Sequence, residues 1–394
     1  LFVSEKLSWP RQAGHDVHTY YLMQALSQLG HDVHLATVRE QDLRAIEGAE
    51  LASVHRLTGE QFRDVAEPPS LSKMQEKFRN YWGVRAEIIR EIGSHAKEIQ
   101  ADAVVVVGLH VLPYLGAVQG ALRIWYAGDE WVWHHWSQVR LLRPSTWGEM
   151  KQALVKGLYE RAYRSILDRV WMVSDADRRA WRWVTGKNNV EVLPNGIDCD
   201  HYQPGDEPQE ERSCVFWGRL DFGPNIQALQ WFCRKVWPRV RRKAPDASFR
   251  IYGFQPTPAV QALAQPNNGV EIIPNLPDLR SAVRKHPVVV LPFVSGGGIK
   301  NKLLEAAAMG KAIVCTPRTV HGLNPGESLV QHNSAAGYAK ALLELWSDGQ
   351  RRAKLGALAR AWVLAEHTWE SAARKASEAI ARACNAPVVS ENSI

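Results

Sequence analysis

The chain has 394 residues, 45% of them hydrophobic and 23% charged, and a formal charge of +7. That length supports two domains with separate cores, and the composition excludes a low-complexity chain. The longest apolar stretch, 103–118, is broken by His110 and Pro113 and falls short of a bilayer span. The five cysteines (Cys199, Cys214, Cys233, Cys315, Cys384) are odd in number and lack a C-x-x-C pair, so they read as reduced thiols. With no visible signal peptide, the expectation is a cytoplasmic protein. The basic balance favours polyanionic partners, either an anionic membrane surface or a phosphorylated substrate. No nucleic-acid module is recognisable, so nucleic acid is set aside.

Short apolar runs alternate with helical periodicity, the pattern of α/β domains with parallel sheets. Strands are expected at 1–3, 32–37, 103–107, 123–126, 169–173 and 190–193, with helices at 15–29, 71–99 and 148–167. A stretch bearing five prolines or glycines, 194–212, reads as a linker. A second series follows, with strands at 214–217, 248–252, 270–273, 288–292 and 312–315 and a helix at 226–242. From 334 onward the pattern is helical, closing on an amphipathic helix at 372–384. Two such halves bind ligands at the carboxyl ends of their strands.

Five segments carry candidate chemistry. The loop 8–14 ends in Gly14 at a helix start, a backbone site for an anion. The His-Asp-Val-His at 15–18 recurs at 31–34, but the second copy opens a strand, where i and i+3 point to opposite faces, so it is no metal clip. Asp129, where an expected strand runs into a loop, is the candidate carboxylate near a reacting carbon, with a loop cap as the plain alternative. The segment 139–166 carries six cations against Glu149 and Glu160, with apolar residues interleaved; it is either an anionic-membrane surface or a solvated helix face. Arg219 follows an apolar strand and suits a phosphate. The most informative segment is 295–310, SGGGIKNKLLEAAAMG. Its glycines lead into a helix N-terminus, where Lys300 and Lys302 are badly placed for the helix dipole and so suit an anion. Glu305 lies one turn on, beside that anion, where a ribose hydroxyl would be a partner.

Taken together, these residues resemble the retaining family 4 glycosyltransferases of the GT-B fold. The likeness rests on the 8–14 loop, Val173-Ser174-Asp175-Ala176-Asp177, Val192-Leu193-Pro194-Asn195-Gly196-Ile197-Asp198, Trp217-Gly218-Arg219 and Asn301-Lys302-Leu303-Leu304-Glu305-Ala306. It implies two Rossmann-like domains with parallel sheets facing across a cleft. Residues 1–195 would form the acceptor side, joined by a helix at 370–394 crossing back, and 196–369 would bind the nucleotide sugar. By this likeness Arg219 and Lys302 take the diphosphate, and Glu305 takes the donor ribose. Gly14, Asn195, Gly196, Gly297, Gly298 and Lys300 complete the donor site, and Asp129, Arg219 and Lys302 carry the catalytic roles. The reaction implied moves a sugar from a UDP- or GDP-linked donor to a saccharide or lipid-linked acceptor, with retention. No metal is required, and the setting would be bacterial polysaccharide or glycoconjugate synthesis, peripheral to the inner face of the membrane.

Three departures stand out. Gly297 replaces a frequent glutamate, Gly223-Pro224-Asn225 replaces a loop that often carries a lysine, and Asp129 stands where many relatives have histidine. The first leaves open an inactive sugar-nucleotide or glycan-binding scaffold, and the basic segment leaves open a membrane-surface adaptor.

Overall fold

The computed structural model describes residues 1–10, 14–58, 84–128, 130–136, 139, 147–276, 278–296 and 298–385. Asp129, Gly297, the 11–13 part of the first loop and the 140–146 part of the basic segment lie outside the described residues. The chain divides into two compact units. Unit 1 is Leu1–Gly196 with Trp369–Ile394, and unit 2 is Ile197–Thr368.

Unit 1 runs β1 (Phe2–Ser4), α1 (Gly14–Gln28), β2 (His34–Thr37), β3 (Ser53–Arg56), α2 (Ala86–Glu98), β4 (Ala103–Val107) and β5 (Leu122–Gly128). It continues through α3 (Trp131–Trp136), α4 (Trp147–Tyr163), β6 (Arg169–Met172), α5 (Asp175–Thr185) and β7 (Val190–Val192). The sheet is parallel throughout, in the order β3-β2-β1-β4-β5-β6-β7. All five residues of β4, Ala-Val-Val-Val-Val, are buried, which is how a strand covered on both faces reads. β3 escaped the periodicity because it lies at the sheet edge, where its Ser-Val-His-Arg needs no apolar run. α5 starts where Ser174 accepts a hydrogen bond from Asp177 N and stops at Gly186 in the left-handed region (φ 72°).

The C-terminal helix, Trp369–Cys384, belongs to unit 1 and packs on α1. Trp369 stacks on Tyr21 with ring centroids 5.4 Å apart, His31 and Ser377 share a hydrogen bond, and Arg382 pairs with Glu191 at 3.0 Å. A Cβ on Gly196 would stand 2.4 Å from the Trp369 ring, so glycine is what lets the chain pass there.

Unit 2 runs β8 (Ser213–Arg219), α6 (Gly223–Trp231), α7 (Trp237–Lys243), β9 (Ser248–Phe254), α8 (Pro258–Gln261), β10 (Val270–Pro274), α9 (Arg280–Arg284) and β11 (Val288–Leu291). Then come α10 (Asn301–Ala308), β12 (Ala312–Cys315), β13 (Val330–Gln331), α11 (Ala335–Ser347) and α12 (Gly349–Glu366). Its parallel sheet has the order β10-β9-β8-β11-β12-β13. The helix expected at 226–242 is interrupted by a π turn, Phe232–Val236. Pro238, just inside α7, has no N–H to give, and the hydrogen-bond ladder slips upstream of it.

Both orders change direction once, between β1 and β4 in unit 1 and between β8 and β11 in unit 2. Ligands of open α/β sheets bind outside the carboxyl ends of the strands at such a point.

Candidate nucleotide site

In unit 2 the two strands flanking the change of direction end in the two segments singled out from sequence. β8 ends in Trp217-Gly218-Arg219, and the chain leaving β11 reaches α10 through the glycine run. Gly218 sits at φ +135°, and a Cβ there would come 3.2 Å from Lys302 Nζ. Glycine is therefore what allows the strand end and the lysine to approach each other.

Lys302 and Arg219 are joined through a residue that the sequence did not single out as a ligand. Asn225 accepts a hydrogen bond from Lys302 Nζ at 3.2 Å and donates one from its own amide to the Arg219 carbonyl at 2.7 Å. The Arg219 guanidinium itself turns to Asp221, at 2.8 Å, and its side chain is 68% exposed. What is tied to Lys302, through Asn225, is thus the Arg219 backbone, not its charge. The Lys302 ammonium lies 5.2 Å from the Phe216 ring centroid and 5.1 Å from that of Phe293. Burial lowers its pKa to about 8, with Glu305 opposing the shift and Lys300 adding to it. Lys300, at the N-cap of α10, donates to the Gly298 carbonyl at 2.8 Å, and Gly298 is in the left-handed region (φ 69°). Both lysines are held by oxygens of the protein, ready to be shared with an incoming anion.

Glu305 accepts a hydrogen bond from Trp217 Nε1 at 2.7 Å. Burial raises the Glu305 pKa, and the Trp217 hydrogen bond and the Lys302 charge oppose that rise. Trp217 and Glu305 line one pocket of about 250 Å³ together with Tyr202, Phe254, Leu276 and Arg280. Arg280 pairs with Asp278 at 2.7 Å and donates to the His201 carbonyl at 3.0 Å, closing the wall from the linker side. Its guanidinium holds the Asp278 carboxyl down to about 2. A pocket of mixed apolar and polar lining, with a carboxylate on one wall and a lysine cluster beyond that carboxylate, suits a nucleoside carrying phosphates.

Unit 1 holds Gly14, Asn195 and Gly196. Gly14 opens α1, and a Cβ on it would meet no described atom within 4 Å, so packing there does not demand glycine. The next residue, His15, shares a hydrogen bond through Nε2 with Ser4 Oγ at 3.1 Å and another through Nδ1 with Asp16 Oδ1 at 2.9 Å. His18 lies behind it, its Nδ1 3.3 Å from the Tyr126 hydroxyl, and burial first, then His15, lowers its pKa to about 4. Asn195 is buried, and Gly196 has the packing reason given above. The His-Asp-Val-His at 31–34 is pulled apart, with His31 on Ser377 and His34 on Ser53.

Sequence reading also missed a buried acidic pair. Glu130, beside Asp129, accepts from Trp133 N at 2.5 Å and donates its own N–H to Asp177 at 3.1 Å. It meets Glu160 of α4, and neither residue is exposed to solvent. Burial, reinforced by their mutual repulsion, holds the Glu160 carboxyl well above its ordinary range; burial likewise raises Glu130, to about 7. Glu130 lies in the loop just before α3 and Glu160 within α4, so nothing local marked them as a pair.

Comparison with known proteins bears on the family and the fold. Residues 13–201 match the model of Glycosyltransferase Family 4, and residues 211–348 match that of Glycosyl transferases group 1. The chain is 27% identical over 234 residues to the phosphatidyl-myo-inositol mannosyltransferase of Mycolicibacterium smegmatis, a match spanning 57% of this chain and 59% of that protein. Among solved structures, a sucrose-phosphate synthase of Thermosynechococcus elongatus superposes with a TM-score of 0.66 at 16% identity, covering 96% of each chain. HepE of Anabaena, solved with UDP, gives 0.66 at 12% identity and covers 96% of this chain and 98% of its own. Two Rossmann-like units with all-parallel sheets, matched in turn by these two family models, make the chain a member of the family 4, group 1 glycosyltransferases of the GT-B fold.

Proposed function

We propose that the protein transfers a sugar from a nucleoside diphosphate sugar to a saccharide or lipid-linked acceptor, with retention of configuration. The observation that carries this reading is the Lys302–Glu305 arrangement on α10, at the change of strand order in unit 2 and facing the Trp217 pocket. In it the nucleoside enters the pocket, a ribose hydroxyl donates to Glu305, and the diphosphate takes Lys302, Lys300 and the backbone near Gly298. Arg219 joins them by leaving Asp221. The donor is UDP- or GDP-linked, a reading supported by a neighbour solved with UDP and by a relative named as a mannosyltransferase. No metal is assigned a step: side-chain cations supply the charge that stabilises the departing diphosphate. That leaving group, with its own oxygens, serves as the base for same-face attack. Asp129 is the carboxylate assigned to the reacting carbon, and Gly14, Asn195 and Gly196 stay assigned to phosphate or sugar through their backbone.

Groups that stabilise charge growing in the transition state cost about 100- to 1,000-fold in rate when removed. Lys302→Ala is expected to lower kcat by that order with the fold intact by circular dichroism. Unchanged turnover in the folded variant sinks the assignment. Binding of nucleotide sugars by the wild-type protein without any transfer or hydrolysis would instead favour the inactive scaffold.

A membrane-peripheral location for a lipid-linked acceptor has its own support. On α4, Trp147, Met150 and Leu154 recur along one face and are exposed, with Lys151 among them and Trp136 on α3 also exposed. Among the described residues, no helix is long and apolar enough to cross a membrane.

A further inference from the structure

We propose that Trp217 is a positioning residue: its indole N–H fixes the Glu305 carboxyl as a hydrogen-bond acceptor and so makes nucleotide recognition depend on a ribose hydroxyl. The inference rests on the nucleotide reading given above and deepens it.

Trp217 is the last buried side chain of β8, 4% exposed, immediately before the turn made possible by Gly218. Its indole can only donate, so the Glu305 oxygen it meets at 2.7 Å must accept. That one bond does two things. It engages Oε2, leaving acceptor capacity on the carboxylate for a ligand, and it fixes the rotation of the carboxylate. It also opposes the burial that pushes Glu305 toward its protonated form, and is the larger of the two opposing influences, ahead of Lys302.

An ionised carboxylate has no proton to give, so it discriminates in favour of ligand groups that donate. A ribose hydroxyl donates; the C–H of a deoxyribose does not, and it leaves the carboxylate oxygen without a partner. Sites built around such a bond reject the analogue lacking the hydroxyl far more strongly than apolar pockets reject a lost methylene. Without the indole N–H, Glu305 is free to rotate and more readily protonated, and the discrimination fades. Trp217 therefore acts on the ligand through Glu305, while its ring remains part of the pocket wall.

The test is a matrix of dissociation constants, measured by titration calorimetry on the full chain. The ligands are UDP and GDP, each compared with its 2′-deoxy and 3′-deoxy analogue. The wild-type protein is expected to bind the better ribonucleotide at least about tenfold more tightly than one of its deoxy analogues, the range for a hydrogen bond to a charged group. In Trp217→Phe that ratio should fall below about threefold, with affinity for the deoxy analogue nearly unchanged. A second replacement, 3-benzothienylalanine in place of Trp217, keeps the ring shape and removes only the N–H. It should behave as the phenylalanine variant does, and it settles the matter if Trp217→Phe does not fold. A preserved ratio in either folded variant overturns the inference, as does an equal loss for ribo and deoxy ligands, which is the signature of a purely structural tryptophan. Failure of the wild-type protein to bind any nucleotide overturns the nucleotide reading itself, and this inference with it.

Discussion

At the scale of single residues, the site is governed by how burial moves charge. Lys302 sits against two aromatic rings, and desolvation brings its pKa down to about 8. The ammonium form therefore prevails below that pH and is lost as pH rises through it. Diphosphate binding restores the charge, so affinity should weaken above pH 8 by up to about tenfold per pH unit. Isothermal titration with the preferred nucleoside diphosphate between pH 6.5 and 9.5 reads this directly. Lys302→Arg keeps its charge across the range, and its affinity should stay flat. A wild-type protein whose affinity does not change above pH 8 would show that Lys302 is not a phosphate ligand. The Arg219 guanidinium teaches the opposite lesson: being 68% exposed and paired with Asp221, it retains its charge at every pH of interest.

Between elements, the most consequential contact is the one joining the start of α3 to α4 through Glu130 and Glu160. Burial raises both carboxyls; Glu130 raises Glu160 further, with Lys156 partly offsetting it, while Asp177 adds to the rise of Glu130 and the hydrogen bond with Glu160 opposes it. A carboxyl whose folded pKa exceeds its unfolded value binds its proton more tightly when folded. Its contribution is fully present below the ordinary carboxylate pKa and is lost as pH rises through the folded value, here about 7 for Glu130. Stability should therefore fall from pH 5 to pH 8. Glu160→Gln removes one of the two charges while keeping the side-chain shape. It is expected to gain about 1–2 kcal/mol over the wild type at pH 8 and little at pH 5. Thermal unfolding of both proteins at the two pH values checks this, and an equal change at both would mean that the effect is packing alone. The pair adjoins the Asp129 position, so the same titration measures how firmly the start of α3 is held.

For the molecule as a whole, the exposed Trp147, Met150 and Leu154 predict where it gathers. Flotation with vesicles containing 30% anionic lipid should carry the protein up at low salt. Vesicles of neutral lipid should not, and Leu154→Asp should weaken the effect several-fold without altering nucleotide affinity. Protein that stays at the bottom of both gradients rules the membrane surface out.

The alternation of strands and helices was legible along the chain because fully covered parallel strands such as β4 are written as unbroken apolar runs. So was the glycine-to-helix passage ahead of α10, since a bare backbone before an amphipathic helix leaves its mark within sixteen residues. The edge strands β3, Ser-Val-His-Arg, and β13, two residues long, were not legible, because neither carries an apolar run. Neither was the tie between Lys302 and Arg219, because Asn225 is an ordinary polar residue at a helix start until two strands bring it there. By itself the sequence determined the class of both units and the segments that reach the ends of β8 and β11, for these follow from local patterning. Only the tertiary structure decided that Trp217 holds Glu305, that Arg219 turns to Asp221, and that two glutamates are buried against each other. Those outcomes depend on which distant side chains share a desolvated space, and no local periodicity records that.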